Sequence, residues 1–519
     1  MSLRRLVQNN FSDLTAANLL EYKRQWARLL KRTPRNSEIL EAYKSLSKTR
    51  GKGLNQEILT SLTTRKVRSL SGVTPFAVMT KPFTCPGLCT FCPLELNMPK
   101  SYLSDEPAGQ RAQAVDFDPY LQVKSRLDQL EATGHHTQKI ELIVIGGTFS
   151  AYPESYKKEF FLGMLNAIND KKFKDLVEAQ VYNETAERRI VGISIETRPD
   201  WVDEKEIILL RFLGVTKLQV GVQALDGKIL KRVKRGHSIR PIARATTMLR
   251  NAGFKICYHY MPNLPGSNPK KDVEMARMMY QDKRFKPDFV KIYPTQVIPG
   301  TALHREWERG EFETYDDEAM IKVLKKIKLL TPKYCRIDRL VRDISKKWVA
   351  GGTIKTNMRQ IIGEELKAEG KECKCIRCRE VKQLEYGVKP DYKEHSYETV
   401  GGVEKLLTFE RDNKLYSLLR LRLPNSRQKM VFDELKGAAI IREIHTFGVA
   451  KKIKNKKLKI KNDKTTQHRG LGKQLLLKAE GIAQRSKYKK IAVISAIGTK
   501  NYYRKLGFDL DGLYMTKYI

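Results

Sequence analysis

Three closely spaced cysteines constrain this chain more than any other stretch of its sequence. Cys85, Cys89 and Cys92 follow the apolar segment 76–79 with CxxxCxxC spacing. Thiolates that converge from a single loop can ligate three irons of a 4Fe-4S cluster, which leaves the fourth iron open. A structural zinc loop would require a fourth nearby Cys or His. Residues 80–134 contain no other Cys and no His, so the spacing favours the cluster.

An open iron of this kind can be chelated by the amino and carboxylate groups of S-adenosylmethionine. One electron then cleaves the sulfonium and yields a 5′-deoxyadenosyl radical, so the motif predicts radical chemistry that depends on S-adenosylmethionine. Most of the eight cysteines lie in two short motifs, which does not suit a disulfide framework and indicates a reducing, cytoplasmic setting. The sequence shows no apolar signal segment and no long apolar run, which predicts that no membrane is involved.

The charge of the chain indicates an anionic partner. Lys and Arg number 98 against 58 Asp and Glu, a formal net charge of +40. Such a surplus favours nucleic acid, although a basic surface that is merely solvated would give the same balance. Residues 1–75 are predicted to form basic helices, at 14–30 and 36–46, that suit a path along phosphates. The lysine-rich segment 451–464 is equally compatible with an RNA contact and with a solvated loop.

Residues 76–340 alternate between short β-branched runs and helix-length segments. This order predicts parallel strands with right-handed crossovers in a partial (β/α) barrel, whose chemistry lies at the carboxyl ends of the strands. The predicted strands are 76–79, 140–145, 190–195, 218–222, 255–261 and 289–293. Polar or glycine residues follow three of them, and we expect these residues to line a cofactor site: Gly146, Gly147, Glu196, Arg198 and Gln223. The glycine pair would let the backbone approach the amino group of S-adenosylmethionine.

Residues 341–400 form a predicted cysteine-rich linker. Cys373, Cys375 and Cys378 have CxCxxC spacing, which suits a small zinc site with one further ligand. The downstream candidates for that ligand are His395, His445 and His468. An auxiliary iron–sulfur cluster and three reduced cysteines without a metal are the alternatives.

Residues 401–519 change character. Antiparallel strands are predicted at 406–410, 416–423 and 438–447, and a glycine-rich turn from Gln467 to Gly472 leads into a helix at 473–483. A helix that begins in this way presents free backbone N–H groups to a pyrophosphate. A strand at 491–495 and the Tyr502-Tyr503 pair follow. This succession resembles the acetyl-CoA-binding GNAT acetyltransferase fold.

The whole chain resembles the catalytic subunit of Elongator in its archaeal, single-protein form. The resemblance rests on a radical S-adenosylmethionine half, a cysteine-rich linker and a GNAT half, and on eight separate matching strings: 117–122, 146–149, 196–200, 221–223, 235–237, 293–295, 443–448 and 501–505. It implies an α/β protein in which a partial (β/α) barrel joins a mixed α+β GNAT domain. It leaves the oligomeric state open, a homodimer included.

The resemblance implies an acyltransferase that acts on the wobble uridine (position 34) of tRNA. Acetyl-CoA would bind the GNAT half, and the adenosyl radical would remove hydrogen from its acetyl methyl. The carbon radical would add to C5 of uridine, and thioester hydrolysis would leave 5-carboxymethyluridine. An electron donor of the reduced ferredoxin or flavodoxin type would be a further partner.

The family's site residues map onto positions of this chain. The cluster maps to Cys85, Cys89 and Cys92, and Lys139 and Tyr514 are implied as catalytic residues that also bind acetyl-CoA. The other implied acetyl-CoA residues are Glu443, Ile444, His445, Thr446, Gln467, Gly470, Leu471, Gly472, Lys473, Gln474, Tyr502 and Tyr503.

One departure and two other functions are weighed against this interpretation. The family has Pro-Gly-Gly after the third cysteine, whereas Leu94 and Glu95 follow Pro93 here. A protein lysine acetyltransferase with a structural barrel is the first alternative, but a basic enzyme repels lysine-rich tails and attracts RNA. A non-catalytic tRNA-binding scaffold is the second, and the intact cysteine motif argues against it.

Overall fold

The computed structural model describes residues 2–50, 54–63, 71–342, 344–382, 389–448 and 470–519. The N-terminal part is helical, as the sequence predicts, with α1 at Leu3–Asn9, α2 at Leu19–Leu30, α3 at Asn36–Thr49 and α4 at Gln56–Leu62. These helices bury a small core of their own around Trp26 and Tyr43. Among the described helices, none combines the length and apolar character that crossing a bilayer requires.

Seven parallel strands form the first sheet in sequential order, from β1 to β7. The strands are β1 Thr74–Met79, β2 Lys139–Ile145, β3 Arg189–Thr197, β4 Lys217–Gln223, β5 Lys255–Tyr260, β6 Phe289–Ile292 and β7 Arg336–Leu340. The helices among and after them are α5 Pro107–Gln113, α6 Pro119–Ala132, α7 Glu154–Asn169, α8 Leu176–Asn183, α9 Glu204–Phe212, α10 Gly227–Arg232, α11 Ile239–Asn251, α12 Pro269–Gln281, α13 Ala302–Glu308, α14 Asp317–Leu330, α15 Met358–Ala368 and α16 Ile376–Arg379. The six predicted strands are confirmed. The sequence did not indicate β7, because three of its five residues are charged.

Seven strands also form the second sheet, in the order β13-β14-β12-β11-β10-β9-β8. They are β8 Asp391–Thr399, β9 Gly402–Arg411, β10 Lys414–Pro424, β11 Ala438–Thr446, β12 Lys490–Val493, β13 Asp509–Asp511 and β14 Tyr514–Tyr518, with helices α17 Leu471–Arg485 and α18 Lys500–Arg504. Only β11 and β12 pair in parallel, so the sheet is mixed and the predicted α/β fold class is confirmed. The edge strand β8 pairs with β9, so the second sheet includes residues before 400.

The second sheet closes the N-terminal end of the barrel. Its buried hydrogen bonds to the barrel go to segments that precede barrel strands. Arg211, before β4, donates to the carbonyls of Ser495 and Leu513. Tyr514 donates to the carbonyl of Ala252, just before β5. The carboxyl ends of the strands therefore remain available at the opposite end.

Buried charges fasten the two sheets together. Asp288, in the loop before β6, accepts from Arg442 of β11 at 3.0 Å and lies 3.4 Å from Arg420 of β10. Glu404 of β9 accepts from Arg442 at 2.8 Å and from Arg422 at 3.0 Å. Burial alone would raise the pKa of Asp288, but Arg442 and Arg420 outweigh it and lower that pKa to about 2.

We expect Asp288→Asn to lower the free energy of unfolding by about 3–5 kcal/mol, because it leaves buried arginines without their anion. Urea unfolding at neutral pH measures this loss. In the wild-type protein, Asp288 contributes to the free energy of unfolding above the ordinary Asp pKa of about 4. This contribution disappears as the pH falls towards 2, because the folded-state pKa of Asp288 is depressed. Asp282→Asn is the matched control, as Asp282 pairs with Arg284 near the surface, and a loss of less than about 1 kcal/mol is expected there. Equal losses would contradict the interface assignment.

Candidate active site

The cysteine loop follows β1 at the carboxyl end of the barrel. Cys89 is buried, and Cys85 and Cys92 are half-buried. The Nη1 atom of Arg235 lies 3.4 Å from the Cys89 sulfur, and the Cys85 sulfur lies 3.6 Å from the Thr148 hydroxyl. Three thiols from one loop are thus held at the end of the barrel where such folds carry chemistry.

The surroundings of the loop suit an anionic group bound by these thiols. The buried atoms Arg198 Nη1, Arg235 Nε and Gln223 Oε1 have no hydrogen-bond partner among the described residues. A Cβ at Gly87 would lie 2.3 Å from Arg198 Nη1, so the loop backbone approaches this cation closely. Asp200 fixes the same guanidinium through bonds of 3.1 and 2.8 Å. Buried guanidinium N–H groups without an acceptor suit an iron–sulfur cluster and the carboxylate of S-adenosylmethionine.

The backbone conformation after β2 requires a pair of glycines. Gly146 has φ +135° and Gly147 has φ +93°, and a Cβ at Gly146 would lie 1.9 Å from the Thr80 hydroxyl. Gln223 also adopts positive φ, +66°, at the end of β4. The structure therefore brings the five polar and glycine residues predicted for the cofactor site to one end of the barrel. Among them, Glu196 accepts from the Tyr102 hydroxyl.

Backbone hydrogen bonds hold the segment that departs from the family pattern. The Pro93 carbonyl accepts from the Ser101 amide at 3.0 Å, and the Glu95 carboxylate accepts from the Ser104 amide at 2.8 Å. The Lys100 ammonium donates to the Gly87 carbonyl inside the cysteine loop. Backbone and side-chain hydrogen bonds together therefore fix this loop where the family has glycines.

A second candidate site lies where β11 and β12 separate. Their parallel pairing ends at Ile441 and Val493, while β11 continues to Thr446, so a wedge opens beyond this point. Alternate residues of a strand face opposite sides. Ile444 and Thr446 approach the first turn of α17, within 3.6 and 3.9 Å of where a Cβ on Gly472 would lie.

The first turn of α17 completes this wedge. Gly470 is the N-cap residue of the helix, with φ +78°, and as a glycine it has no side chain to cap the first turn. The first-turn amides have no intrahelical acceptors. The Tyr502 hydroxyl lies 3.3 Å from the Cβ position of Gly472, and Tyr502 is 44% exposed. Free amides, the helix dipole and Lys473 suit a pyrophosphate. Gln467, His468 and segment 451–464 lie outside the described residues.

Two tyrosines predicted for the acetyl-CoA site are buried in the structure. Tyr514 is fully buried, and its hydroxyl is committed to the Ala252 carbonyl at 2.7 Å, so it packs at the barrel interface and not in the cleft. Burial raises its pKa far above the ordinary value. Tyr503 is buried in the second core, edge-on to Phe508. The acetyl-CoA roles of Tyr503 and Tyr514 stay predictions, and Tyr502 is the tyrosine that lies beside Gly472 of α17.

Three predicted residues lie between the two sheets. Glu443 and His445 are on the face of β11 that looks towards the barrel, and Glu443 accepts from Arg420 at 2.7 Å. Burial lowers the pKa of His445. The Glu443 and Glu141 carboxylates partly offset this decrease. Lys139 is the first residue of β2, at the end of the barrel that the second sheet closes. It is half-buried and lies next to Arg189. Burial and Arg189 lower its pKa.

The second cysteine motif forms a compact group. The sulfurs of Cys373, Cys375 and Cys378 lie within 4.8 Å of one another, and no other set of three potential ligands in the described residues is so close. Hydrogen bonds from its two neighbours lower the pKa of Cys375 to about 2. His395 instead contacts Glu410 at 3.3 Å, and His445 faces the barrel, so neither joins the group.

Comparison with known proteins decides the family. The Radical SAM superfamily model matches residues 80–279, and the Radical_SAM C-terminal domain model matches residues 287–368. The tRNA uridine(34) acetyltransferase of Methanocaldococcus jannaschii is 41% identical over 502 residues, 94% of this chain and 90% of the relative. Elongator complex protein 3 of Saccharomyces cerevisiae is 33% identical and covers 94% of this chain and 89% of its own length. This chain belongs to the Elongator complex protein 3 family.

A solved structure agrees with this assignment. The archaeal Methanocaldococcus infernus Elp3 with an N-terminal deletion (1-46) has a TM-score of 0.75 and 38% identity. The match covers 87% of this chain and all of that one. The resemblance inferred from sequence motifs is therefore confirmed.

Sequence reasoning missed several residues that surround the cysteine loop. Arg235 belongs to a string that matches the Elongator complex protein 3 family, yet its contact with Cys89 depends on a fold that brings residues 146 positions apart together. Lys100 and Tyr102 carry no recognisable spacing, whereas Thr148 lies within the matching string 146–149. Only the basic or polar character of the strand-following loops could have indicated them.

We expect Arg235→Met to shift the reduction potential of a reconstituted cluster by roughly 30–60 mV to more negative values. The substitution removes a cation and an N–H group that faces a ligating sulfur, and for one electron 59 mV corresponds to a tenfold change. A redox titration followed by electron paramagnetic resonance measures the shift. Arg232→Met is the control, because Arg232 is exposed and pairs with Glu306. The same shift in both variants would contradict a specific role for Arg235.

Proposed function

We propose that this chain is a tRNA-modifying acyltransferase that forms 5-carboxymethyluridine at the wobble uridine from acetyl-CoA. The observation that carries the proposal is the presence, in one chain, of a cysteine loop at one end of the barrel and an acetyl-CoA-type wedge at the other. Relatives that align over most of this chain are named for the same nucleoside, uridine 34 of tRNA. The acyltransferase assignment follows from these names and from the matching radical S-adenosylmethionine models.

At the cluster end, the residues of this chain bind and orient. Cys85, Cys89 and Cys92 would hold a 4Fe-4S cluster, and the Gly146 backbone with Arg198 would hold S-adenosylmethionine. When bound, this pair supplies a 5′-deoxyadenosyl radical. The Arg198 and Arg235 guanidinium groups would offset the negative charge of the bound cluster and of the S-adenosylmethionine carboxylate.

At the other end, the wedge between β11 and β12 binds acetyl-CoA. The first-turn amides of α17 and the Tyr502 hydroxyl would hold the pyrophosphate, and the β11 backbone would hold the pantetheine arm. Lys139 would approach from the barrel side with its ammonium. Glu443 and His445 face the barrel mouth, where the acetyl group would emerge, and a neutral His445 there can accept a proton from water.

The partner is proposed to be tRNA and not a lysine-bearing protein. The net charge of +40 favours a polyanion, and wobble-base recognition requires an unpaired, extruded base. Acetyl-CoA turnover in the presence of tRNA, compared with turnover in the presence of lysine-rich peptides, tests this choice. We expect tRNA alone to stimulate turnover. Stimulation by peptides alone would support the protein acetyltransferase instead.

We also propose that the compact cysteine group binds one zinc ion. Sulfurs within 4.8 Å of each other suit a single tetrahedral ion better than the wider cubane of an iron–sulfur cluster. We expect Cys375→Ser to lose the zinc of the purified protein, as measured by elemental analysis. Cys257→Ser, at a buried cysteine outside the group, is expected to keep it. Zinc content that is equal in the two variants, or iron in its place, would contradict the zinc assignment.

A further inference from the structure

The interior of the barrel is lined by polar side chains. Leu218, Val220 and their counterparts on neighbouring strands pack outward against the helices. The residues between them therefore face the lumen, because strand side chains alternate. A barrel interior is usually filled by branched apolar side chains. Here the lumen residues include Glu141, Ser194, Gln219, Cys257, Lys291 and Asp338.

An ion pair stands near the N-terminal mouth of this lumen, where β4, β6 and β7 begin. The Lys217 ammonium lies 2.6 Å from the Asp338 carboxylate and 3.8 Å from the centre of the Phe289 ring. Arg336 lies 3.1 Å from the same carboxylate. These charges are largely buried, so the lumen is polar where a packed barrel would be dry and apolar.

Polar contacts continue from there to the cysteine loop. Gln219 donates to Ser194 at 3.0 Å, and His259 lies 3.3 Å from the Gln219 carbonyl oxygen. Above them, Lys291 lies 3.8 Å from Glu196. Glu196 belongs to the residues already placed around S-adenosylmethionine.

The charged groups at the lower end of the lumen lie beside the second sheet, because Lys217 and Arg336 are the first residues of β4 and β7. Glu141 acts on both Lys217 and His445, and its carboxylate raises the pKa of each against the effect of burial. Glu141 is the third residue of β2, so it belongs to the end of the lumen that β11 covers. Polar groups therefore line the lumen from the mouth beneath the second sheet to Glu196 at the cluster end.

This column costs stability, which points to a role in function. Burying an ion pair costs several kcal/mol per ion, and apolar residues of similar size are often as stable or better. The two ends are separated by the length of β4, about 23 Å at ~3.3 Å per residue. Reacting atoms must approach to about 3–3.5 Å. The acetyl group must therefore travel through the lumen to come within reacting distance of a group bound at the cluster end.

We propose that the barrel lumen is the passage through which the acetyl end of acetyl-CoA reaches the cluster end. Lys217, Gln219 and Lys291 line it with donors that match a thioester carbonyl. The proposal rests on the function given above, because it presupposes acetyl-CoA in the wedge.

A photoreactive acyl-CoA tests the passage on the full chain. The probe carries a diazirine at the end of its acyl group; light expels N2, and the carbene inserts into a neighbouring X–H bond. We expect peptide mass spectrometry to find the label on β4 or β5, with suppression by excess acetyl-CoA. Ser194→Leu should narrow the lumen and reduce this label by at least about fivefold, whereas Ser194→Ala should retain it.

The outcomes separate this inference from the proposed function. Calorimetry first establishes that acetyl-CoA binds the wild-type protein and both variants. Binding with label confined to the second sheet or to surface lysines would overturn the passage and leave the function standing. An absence of acetyl-CoA binding would overturn both. Because the wild-type labelling pattern decides by itself, a Ser194→Leu variant that fails to fold does not remove the test.

Discussion

Cys89→Ser is expected to abolish carboxymethylation of tRNA while the affinity for tRNA stays within about twofold, a change of about 0.4 kcal/mol. The Cys89 sulfur is buried at the carboxyl end of the barrel and faces Arg235, so it can ligate iron and cannot reach a phosphate. Nucleoside mass spectrometry measures the first effect, and filter binding of tRNA measures the second.

Cys335→Ser provides the matched control for that variant. Cys335 is equally buried and free of disulfides, but it precedes β7 at the opposite end of the barrel. We expect the Cys335→Ser variant to bind iron and to modify tRNA as the wild type does. Modified uridine formed by the Cys89 variant would rule out the cluster as the source of reactivity.

Gly472→Asp is expected to weaken acetyl-CoA binding by at least about 100-fold, or ~2.7 kcal/mol. The substitution places a carboxylate in the first turn of α17, where the pyrophosphate would bind, and two like charges about 4 Å apart repel by about 4 kcal/mol at a protein surface. The helix itself tolerates the change, because acidic residues are favourable in a first turn. Isothermal calorimetry with acetyl-CoA measures the loss.

The same helix supplies the control for this variant. Gly481→Asp makes the same charge change near the far end of α17, where the Arg485 guanidinium is 3.4 Å from the new Cβ. Its affinity for acetyl-CoA should stay within about twofold of wild type. Equal weakening in the two variants would show that net charge, and not the α17 terminus, governs binding.

Sites built from neighbouring residues could be predicted from the sequence, because their geometry is local. Both cysteine motifs supply three ligands from one short segment, and in the second motif the structure brings the sulfurs within 4.8 Å of one another. The glycines after β2 were predictable for the same reason, since strand end and turn adjoin in the chain. The six apolar barrel strands followed from periodicity alone.

Features that depend on distant partners could not be predicted in this way. The Tyr514 hydroxyl finds its acceptor at Ala252, 262 residues earlier, and no local pattern signals that contact. β7 lines the polar lumen and therefore carries charged residues. Its sequence lacks the apolar run that indicates a buried strand. β8 lies at a sheet edge with mostly exposed side chains, which weakens the alternation that marks a strand.

The most direct test of the proposed function follows the acetyl methyl group into tRNA. Reconstituted protein is incubated without oxygen with tRNA, S-adenosylmethionine, a reductant and methyl-labelled acetyl-CoA, and the nucleosides are analysed by mass spectrometry. We expect labelled 5-carboxymethyluridine and 5′-deoxyadenosine to appear together. Unlabelled tRNA alongside labelled acetyl-lysine on an added peptide would contradict the account.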